Sequence, residues 1–339
     1  MTGHPEPAFA VIPAGAVTGA VDGHRADCLD VIRRAYLAHA AGESVLPHST
    51  FVRPDPPRPD RFIALPGYLG GEFEVAGMKW IGSYPDNVAG GLDRASAVLV
   101  LNDTGTGYPF AVLEGSVISA TRTAASAVLA AEHFAGRRKA SRVGIVGTGL
   151  IASHVCAFLR ELGWEIGGYT LKDVSRDRAG AFKRDLLDNG VAAVRVTGDV
   201  ADLFDECDLI LLATTANTPY LLDPALLANS PVVLHLSLRD LGPNLIAVSQ
   251  NVTDDVEHAV RERTSLHLTE QMLGNRDFVS GTIADLLEAR LRRDGRPAVY
   301  SPFGLGVLDL ALGQWIYQQC RDHSPVATIP GFFPTPGTR

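Results

Sequence analysis

Cysteine is scarce in this chain of 339 residues: Cys28, Cys156, Cys207 and Cys320 stand far apart, with no Cys-x-x-Cys pair. That spacing offers no disulfide framework and points to reduced, partly buried thiols. The ten histidines include no His-x-x-x-His and no Glu-flanked pair, so no metal site is expected. No apolar run approaches the ~18 residues of a membrane span, and the N-terminus lacks a basic-then-apolar leader. Positive charge is also in deficit, at 30 Lys and Arg against 38 Asp and Glu, a net of −8. A nucleic-acid groove needs clustered cations, so nucleic acid is excluded as the main partner. The expectation is a cytoplasmic protein with no membrane partner. Internal repeats and low-complexity segments are missing as well.

What is present is a globular composition, 46% hydrophobic and 20% charged, long enough for two domains. The organising stretch is Ser141-Arg-Val-Gly-Ile-Val-Gly-Thr-Gly-Leu-Ile-Ala152. Its apolar run, 143–146, reads as a buried strand, and a helix is expected from 150 to 162. Gly147-Thr-Gly149 between them, with Ala152 following, gives the Gly-x-Gly-x-x-Ala pattern of a dinucleotide fold. Gly147 permits the tight turn, Gly149 admits a pyrophosphate close to the backbone, and Ala152 lets the helix lie near its strand. Gly147, Thr148, Gly149, Leu150 and Ile151 are therefore the expected coenzyme loop, with phosphate at the helix N-terminus.

Before this loop the pattern is that of a mostly antiparallel α+β region. It has strands near 9–12, 50–53, 61–65, 72–81, 95–101 and 108–113, and helices over 26–41 and 116–134. Pro54-Asp-Pro-Pro-Arg-Pro59 marks a rigid turn. After the loop, strands at 166–171, 193–196, 209–213, 232–236 and 246–249 alternate with helices, which implies a parallel Rossmann-type sheet. A last helix over 305–321 is expected to return to the first region. The fold class is α/β, with a dinucleotide domain over 125–304 and a smaller substrate and dimerisation domain over 1–124 with 305–339.

Several residues carry possible chemistry. Asp173 ends the second strand, 26 residues after Gly147. A carboxylate there accepts from ribose hydroxyls and repels a 2′-phosphate, which favours NAD. The alternative reading is a helix N-terminal acid, and Lys172 and Arg176 nearby leave NADP open, with NAD ahead on the carboxylate. Thr214 and Thr215 follow the fourth strand and suit the nicotinamide ribose, or are ordinary strand-end residues. Lys79 interrupts an apolar strand, where a lone ammonium is costly. Arg122 is a lone charge in a small-residue helix, and Arg53 closes the strand before the proline turn. Three isolated cations suit a substrate with several carboxylates, as Arg binds these bidentately. Asp240, in His235-Leu-Ser-Leu-Arg-Asp240, follows the fifth strand and is either a proton acceptor or an N-cap paired with Arg239. His235 itself reads as a hydrogen-bonded core residue.

The runs Met78-Lys-Trp-Ile-Gly-Ser-Tyr-Pro-Asp-Asn87, Ala95-Ser-Ala-Val-Leu-Val-Leu-Asn-Asp103, Arg122-Thr-Ala-Ala125 and His235-Leu-Ser-Leu-Arg-Asp-Leu241 carry a resemblance. With the dinucleotide loop, they resemble the ornithine cyclodeaminase/μ-crystallin family across nearly the whole chain. Leu113-Glu-Gly-Ser-Val-Ile-Ser119 and Ser301-Pro-Phe-Gly-Leu-Gly306 are similar to its N-(1-amino-1-carboxyethyl)glutamate dehydrogenases, which make 2,3-diaminopropionate for siderophores and peptide antibiotics. The resemblance implies an NAD enzyme, a homodimer built through the antiparallel domain, and a small acidic amino acid held between the domains. It also implies substrate-holding roles for Arg53, Lys79 and Arg122 and an acid-base role for Asp240. Around Asp240 the chain departs from the cyclodeaminase pattern. Leu238-Arg239 stands where those enzymes have Gly-Gly or Gly-Ser, and Arg239 adds a cation for a more acidic substrate. Ornithine cyclodeaminase, a ketimine reductase and a non-catalytic coenzyme-binding protein are the alternatives.

Overall fold

The computed structural model describes residues 8–56, 58–323 and 326–334. Pro57 of the proline turn falls outside the described residues. The chain forms two compact units: one holds the residues up to Arg122 and those from Leu305 onward, the other Thr123–Gly304.

The first unit is built on a sheet whose order is Ala327–Thr328, Ala10–Ile12, Pro109–Glu114, Ala95–Asp103, Val75–Ser83, Arg61–Leu69 and Ser44–Val45. Thr50–Val52 adds to the Arg61–Leu69 strand. Pairing is antiparallel except between Ala10–Ile12 and Pro109–Glu114. Successive side chains alternate across a strand, and the register sorts them. Leu65, Lys79 and Leu99 stand opposite one another on one face, and Ala64, Trp80 and Val98 on the other. Helix Gly306–His323 lies on the Lys79 face so closely that a Cβ at Gly313 would meet Leu99 Cδ2 at 2.2 Å. The opposite face is apolar and only half covered: Phe62 and Trp80 stack at 5.5 Å, and Val98 is 43% exposed. The returning helix agrees with the sequence reading. The helix Ala14–Val21, by contrast, went unforeseen because Gly15 and Gly19 weaken its signal.

The second unit is an eight-stranded, wholly parallel sheet, of order Val194–Val196, Tyr169–Lys172, Val143–Val146, Leu209–Leu212, Val232–His235, Ala298–Tyr300, Gln250–Thr253 and Val279–Thr282. Its core gathers Ile210, Leu212, Val233, Leu245, Ile246, Leu266 and Val299. One expected strand is wrong: residues 246–249 do not extend. Pro243–Ala247 is a short helix with Pro at its first turn, and the strand follows at Gln250–Thr253. A short apolar run cannot announce its period; Pro243 was the better signal. Burial pushes the Cys156 thiol up to about 12 and Cys207 up to about 11, so both serve as packing.

Candidate functional site

The dinucleotide loop has the shape its residues demand. Gly147 takes a left-handed φ of 91°, and a Cβ there would lie 2.4 Å from the Ala213 carbonyl oxygen. No other residue fits. Helix Leu150–Glu161 opens at Gly149, which gives no side-chain cap, and a Cβ on Gly149 would meet nothing within 4 Å. Uncapped amides facing open space are what a pyrophosphate needs. Ala152 is fully buried, Leu150 is exposed and Thr148 is nearly buried.

Asp173 does more than the sequence indicated. Its Oδ2 accepts from Thr148 N and Oγ1, both at 2.9 Å, and Oδ1 accepts from Ser175 N at 2.9 Å and Arg178 Nη2 at 3.0 Å. Burial pushes its carboxyl up, but these four donors outweigh burial and hold it below the usual range. Asp173 thus ties the glycine loop to the next strand. A ribose hydroxyl must displace Arg178 or the Thr148 hydroxyl to reach it. Lys172 Nζ donates to the Gly198 carbonyl oxygen at 2.8 Å, away from this carboxylate.

At the carboxyl ends of the next strands lies a buried polar cluster. Asp240 is fully buried; Oδ1 accepts the Thr214 hydroxyl and Oδ2 the Ser237 hydroxyl. The Asp240 amide donates to His235 Nε2 at 3.1 Å, and His235 Nδ1 lies 3.0 Å from Ser301 Oγ. Burial raises the Asp240 carboxyl, and the His235, Ser237 and Thr214 contacts bring it below its ordinary value. The same carboxylate, with burial as the larger cause, pushes the Tyr220 phenol up. Leu238 makes the turn with a left-handed φ of 67°. That is the position where the cyclodeaminase pattern carries glycine, and leucine there costs roughly 1–2 kcal/mol. Asp240 is therefore an enclosed, ionised carboxylate rather than an open base. Thr214 is spent on it, Thr215 is exposed, and Arg239 Nη2 donates to the Glu262 carbonyl oxygen at 2.6 Å.

In the first unit, two of the three expected cations meet. Lys79 Nζ donates to Asp309 Oδ2 at 2.6 Å and to Ser119 Oγ at 3.0 Å. Arg122 Nε donates to Asp309 Oδ1 at 3.2 Å. Lys79 and Asp309 are both wholly buried, and Arg122 is 11% exposed. Burial above all, with Arg122 adding, pushes the Lys79 ammonium down to about 8 against the pull of Asp309. Arg53 stays apart: it is exposed, with its guanidinium 5.1 Å from the Phe51 ring. The sequence reading overlooked Asp309, although an acid between Leu308 and Leu310 in an apolar helix was a visible signal.

The profile of the ornithine cyclodeaminase/mu-crystallin family matches residues 21–324. The chain belongs to this family. Within it, the chain is 27% identical over 311 residues to N-((2S)-2-amino-2-carboxyethyl)-L-glutamate dehydrogenase of Staphylococcus aureus, covering 89% of this chain and 92% of the relative. It is 25% identical over 265 residues to the Δ(1)-pyrroline-2-carboxylate reductase of Bacillus cereus, covering 76% and 81%. Among solved structures, the Thermococcus litoralis Δ(1)-pyrroline-2-carboxylate reductase in complex with NADH and L-proline matches with a TM-score of 0.85. That match has 20% identity over 94% of this chain and 100% of that one, a likeness of fold alone. Among the described residues, no helix is long and apolar enough to cross a membrane.

Proposed function

We propose that this family member is an NAD-dependent oxidoreductase acting at an amino-acid C–N bond. More finely, we propose that it cleaves N-((2S)-2-amino-2-carboxyethyl)-L-glutamate to L-2,3-diaminopropionate and 2-oxoglutarate. The amine sits on carbon 2 of the carboxyethyl group, as in the Staphylococcus relative's name. Only that isomer leaves a vicinal diamine when the glutamate C–N bond breaks. The carrying observation is Lys79, an ammonium pushed down to about 8 in a buried site shared with Arg122. A group titrating near the working pH is matched to proton transfer.

NAD, once bound, supplies the hydride acceptor. Gly147 makes the tight turn and Gly149 leaves room for its pyrophosphate, while Asp173 fixes the loop and repels a 2′-phosphate. Neutral Lys79 first takes a proton from the secondary ammonium and keeps it; the freed lone pair then forms the C=N bond as hydride leaves the glutamate α-carbon, which gives a cationic imine. Water adds to the imine carbon, both of its protons pass to the nitrogen, and collapse of the carbinolamine breaks the C–N bond. The carbonyl oxygen of 2-oxoglutarate comes from that water, and the nitrogen leaves with 2,3-diaminopropionate. Arg122 holds a carboxylate, and exposed Arg53 serves a second one. Asp240 acts through its charge, stabilising the cationic imine, because both its oxygens already accept hydroxyl protons.

The test is to incubate the purified protein with this conjugate and NAD or NADP, follow absorbance at 340 nm and identify products by mass spectrometry. NADH with the two named products is expected. Proline and ammonia from ornithine without net NADH would give the cyclodeaminase reading instead, and NAD(P)H-consuming reduction of Δ(1)-pyrroline-2-carboxylate the reductase one. Coenzyme binding without turnover of any of these would leave a binding protein.

The protein is further proposed to be a homodimer through the sheet face bearing Trp80 and Val98. Half-covered aromatic and branched side chains are costly to leave in water. Trp80→Glu is expected to halve the mass measured by light scattering, and an unchanged mass would move the interface elsewhere.

A further inference from the structure

Lys79, Asp309, Arg122 and Ser119 form a closed ring. Asp309 receives Lys79 on one oxygen and Arg122 on the other, while Ser119 Oγ lies 3.0 Å from Lys79 Nζ and 3.5 Å from Arg122 Nη2. The ring joins the middle of a strand, one turn of the Gly115–Ala135 helix and the first turn of the Gly306–His323 helix. Its surroundings are apolar: Leu99, Leu308 and Leu310 are fully buried beside it. Two cations and one carboxylate leave one positive charge uncompensated in a dry site. A purely structural ion pair gains nothing from such an excess, since an unmatched charge is costly to take out of water. Among the described residues, two of the three Lys79 N–H groups have acceptors; Lys79 and Asp309 are wholly buried, while Arg122 and Ser119 are partly exposed.

We infer that Asp309 is the positioning residue of this site, holding Lys79 beside Arg122 so that Arg122 receives one carboxylate of a 2-amino or 2-oxo acid while Lys79 stays next to it as the group that gains and loses the proton. The inference rests on the proposed role of Lys79 and deepens it. Around the ammonium, Asp309 favours the protonated form and Arg122 opposes it, while Leu65 and Leu99 flank it in register on the neighbouring strands. Without Asp309 the neighbouring guanidinium would drive the proton off Lys79.

The experiment is a pH titration of lysine side chains carrying ¹³C at Cε, followed by NMR on the full-length protein, with the Lys79 signal assigned by its loss in Lys79→Arg. In the native protein Lys79 is expected to titrate near 8. Asp309→Asn is expected to lower that midpoint by about one pH unit or more, the effect of losing one adjacent charge; Asp309→Glu should restore most of it. An unmoved midpoint in Asp309→Asn overturns the inference. Adding pyruvate to the native protein should raise the midpoint, because a bound carboxylate favours the ammonium; no change overturns the carboxylate assignment. If Asp309→Asn does not fold, the double variant Lys79→Met with Asp309→Asn removes the unmatched ammonium and is expected to fold. Its failure would overturn the pairing. Neither titration requires turnover, so a failed assay with the glutamate conjugate would reject that substrate and leave Asp309's role standing.

Discussion

Lys79→Met is expected to lower turnover by roughly 10²–10⁴, the range of general acid–base catalysis. Methionine fills the same buried space without a titratable group, and Asp309 keeps Arg122 as its partner, so the fold should survive. The second signature is in the pH profile. The native enzyme needs neutral Lys79 in the oxidative direction, so its rate should rise with pH and level off above about 8. The variant's residual rate should lose that limb. Stability carries the opposite signature to an ordinary paired lysine. The native ammonium is pushed below its unfolded value, so between about 8 and the ordinary lysine range the unfolded chain binds more protons and stability rises with pH. Thermal melts across that window should show the rise in the native protein and not in the variant. Retention of the pH-rate limb in Lys79→Met would remove Lys79 as the proton acceptor.

How far the sequence could lead is shown by three residues of different kinds. Gly147 was legible because a strand, a glycine turn and a helix follow within twelve residues, and the backbone angle there admits nothing else. Lys79 was legible as an anomaly, an ammonium in an apolar strand, but its partner lies 230 positions later in the chain. Local pattern has no access to such a pairing, and Asp309 passed as a polar break in an apolar helix. Arg53 belonged to the same apparent group of cations, and the structure sets it exposed against Phe51 while Lys79 and Arg122 share Asp309. The parallel sheet was foreseeable from alternating apolar runs. Its far strands were not, because the segments between residues 243 and 300 are only three to nine residues long and lack a readable period.

Asp240→Asn is expected to cost roughly 10²–10³ in turnover, the loss of one preorganised electrostatic contact, while keeping the alkaline limb near 8. The substitution is close to isosteric, and one of the two hydroxyls now donating to the carboxylate can rotate to accept from the amide. Geometry is therefore kept and charge removed. The acid limb of stability should change as well. The Asp240 carboxyl lies below its unfolded value, so its contribution is present above the ordinary carboxylate range and is lost as pH falls through the native value. Asparagine has no such contribution to lose, so its acid unfolding should be flatter. The pair of variants separates two roles that sequence alone leaves merged: Lys79→Met removes the pH limb, and Asp240→Asn lowers the rate beneath an unchanged limb. If instead the limb vanished in Asp240→Asn and stayed in Lys79→Met, the proton acceptor would be the carboxylate. The Thr214 and Ser237 hydroxyls would then have to swing away from Asp240 in each turnover.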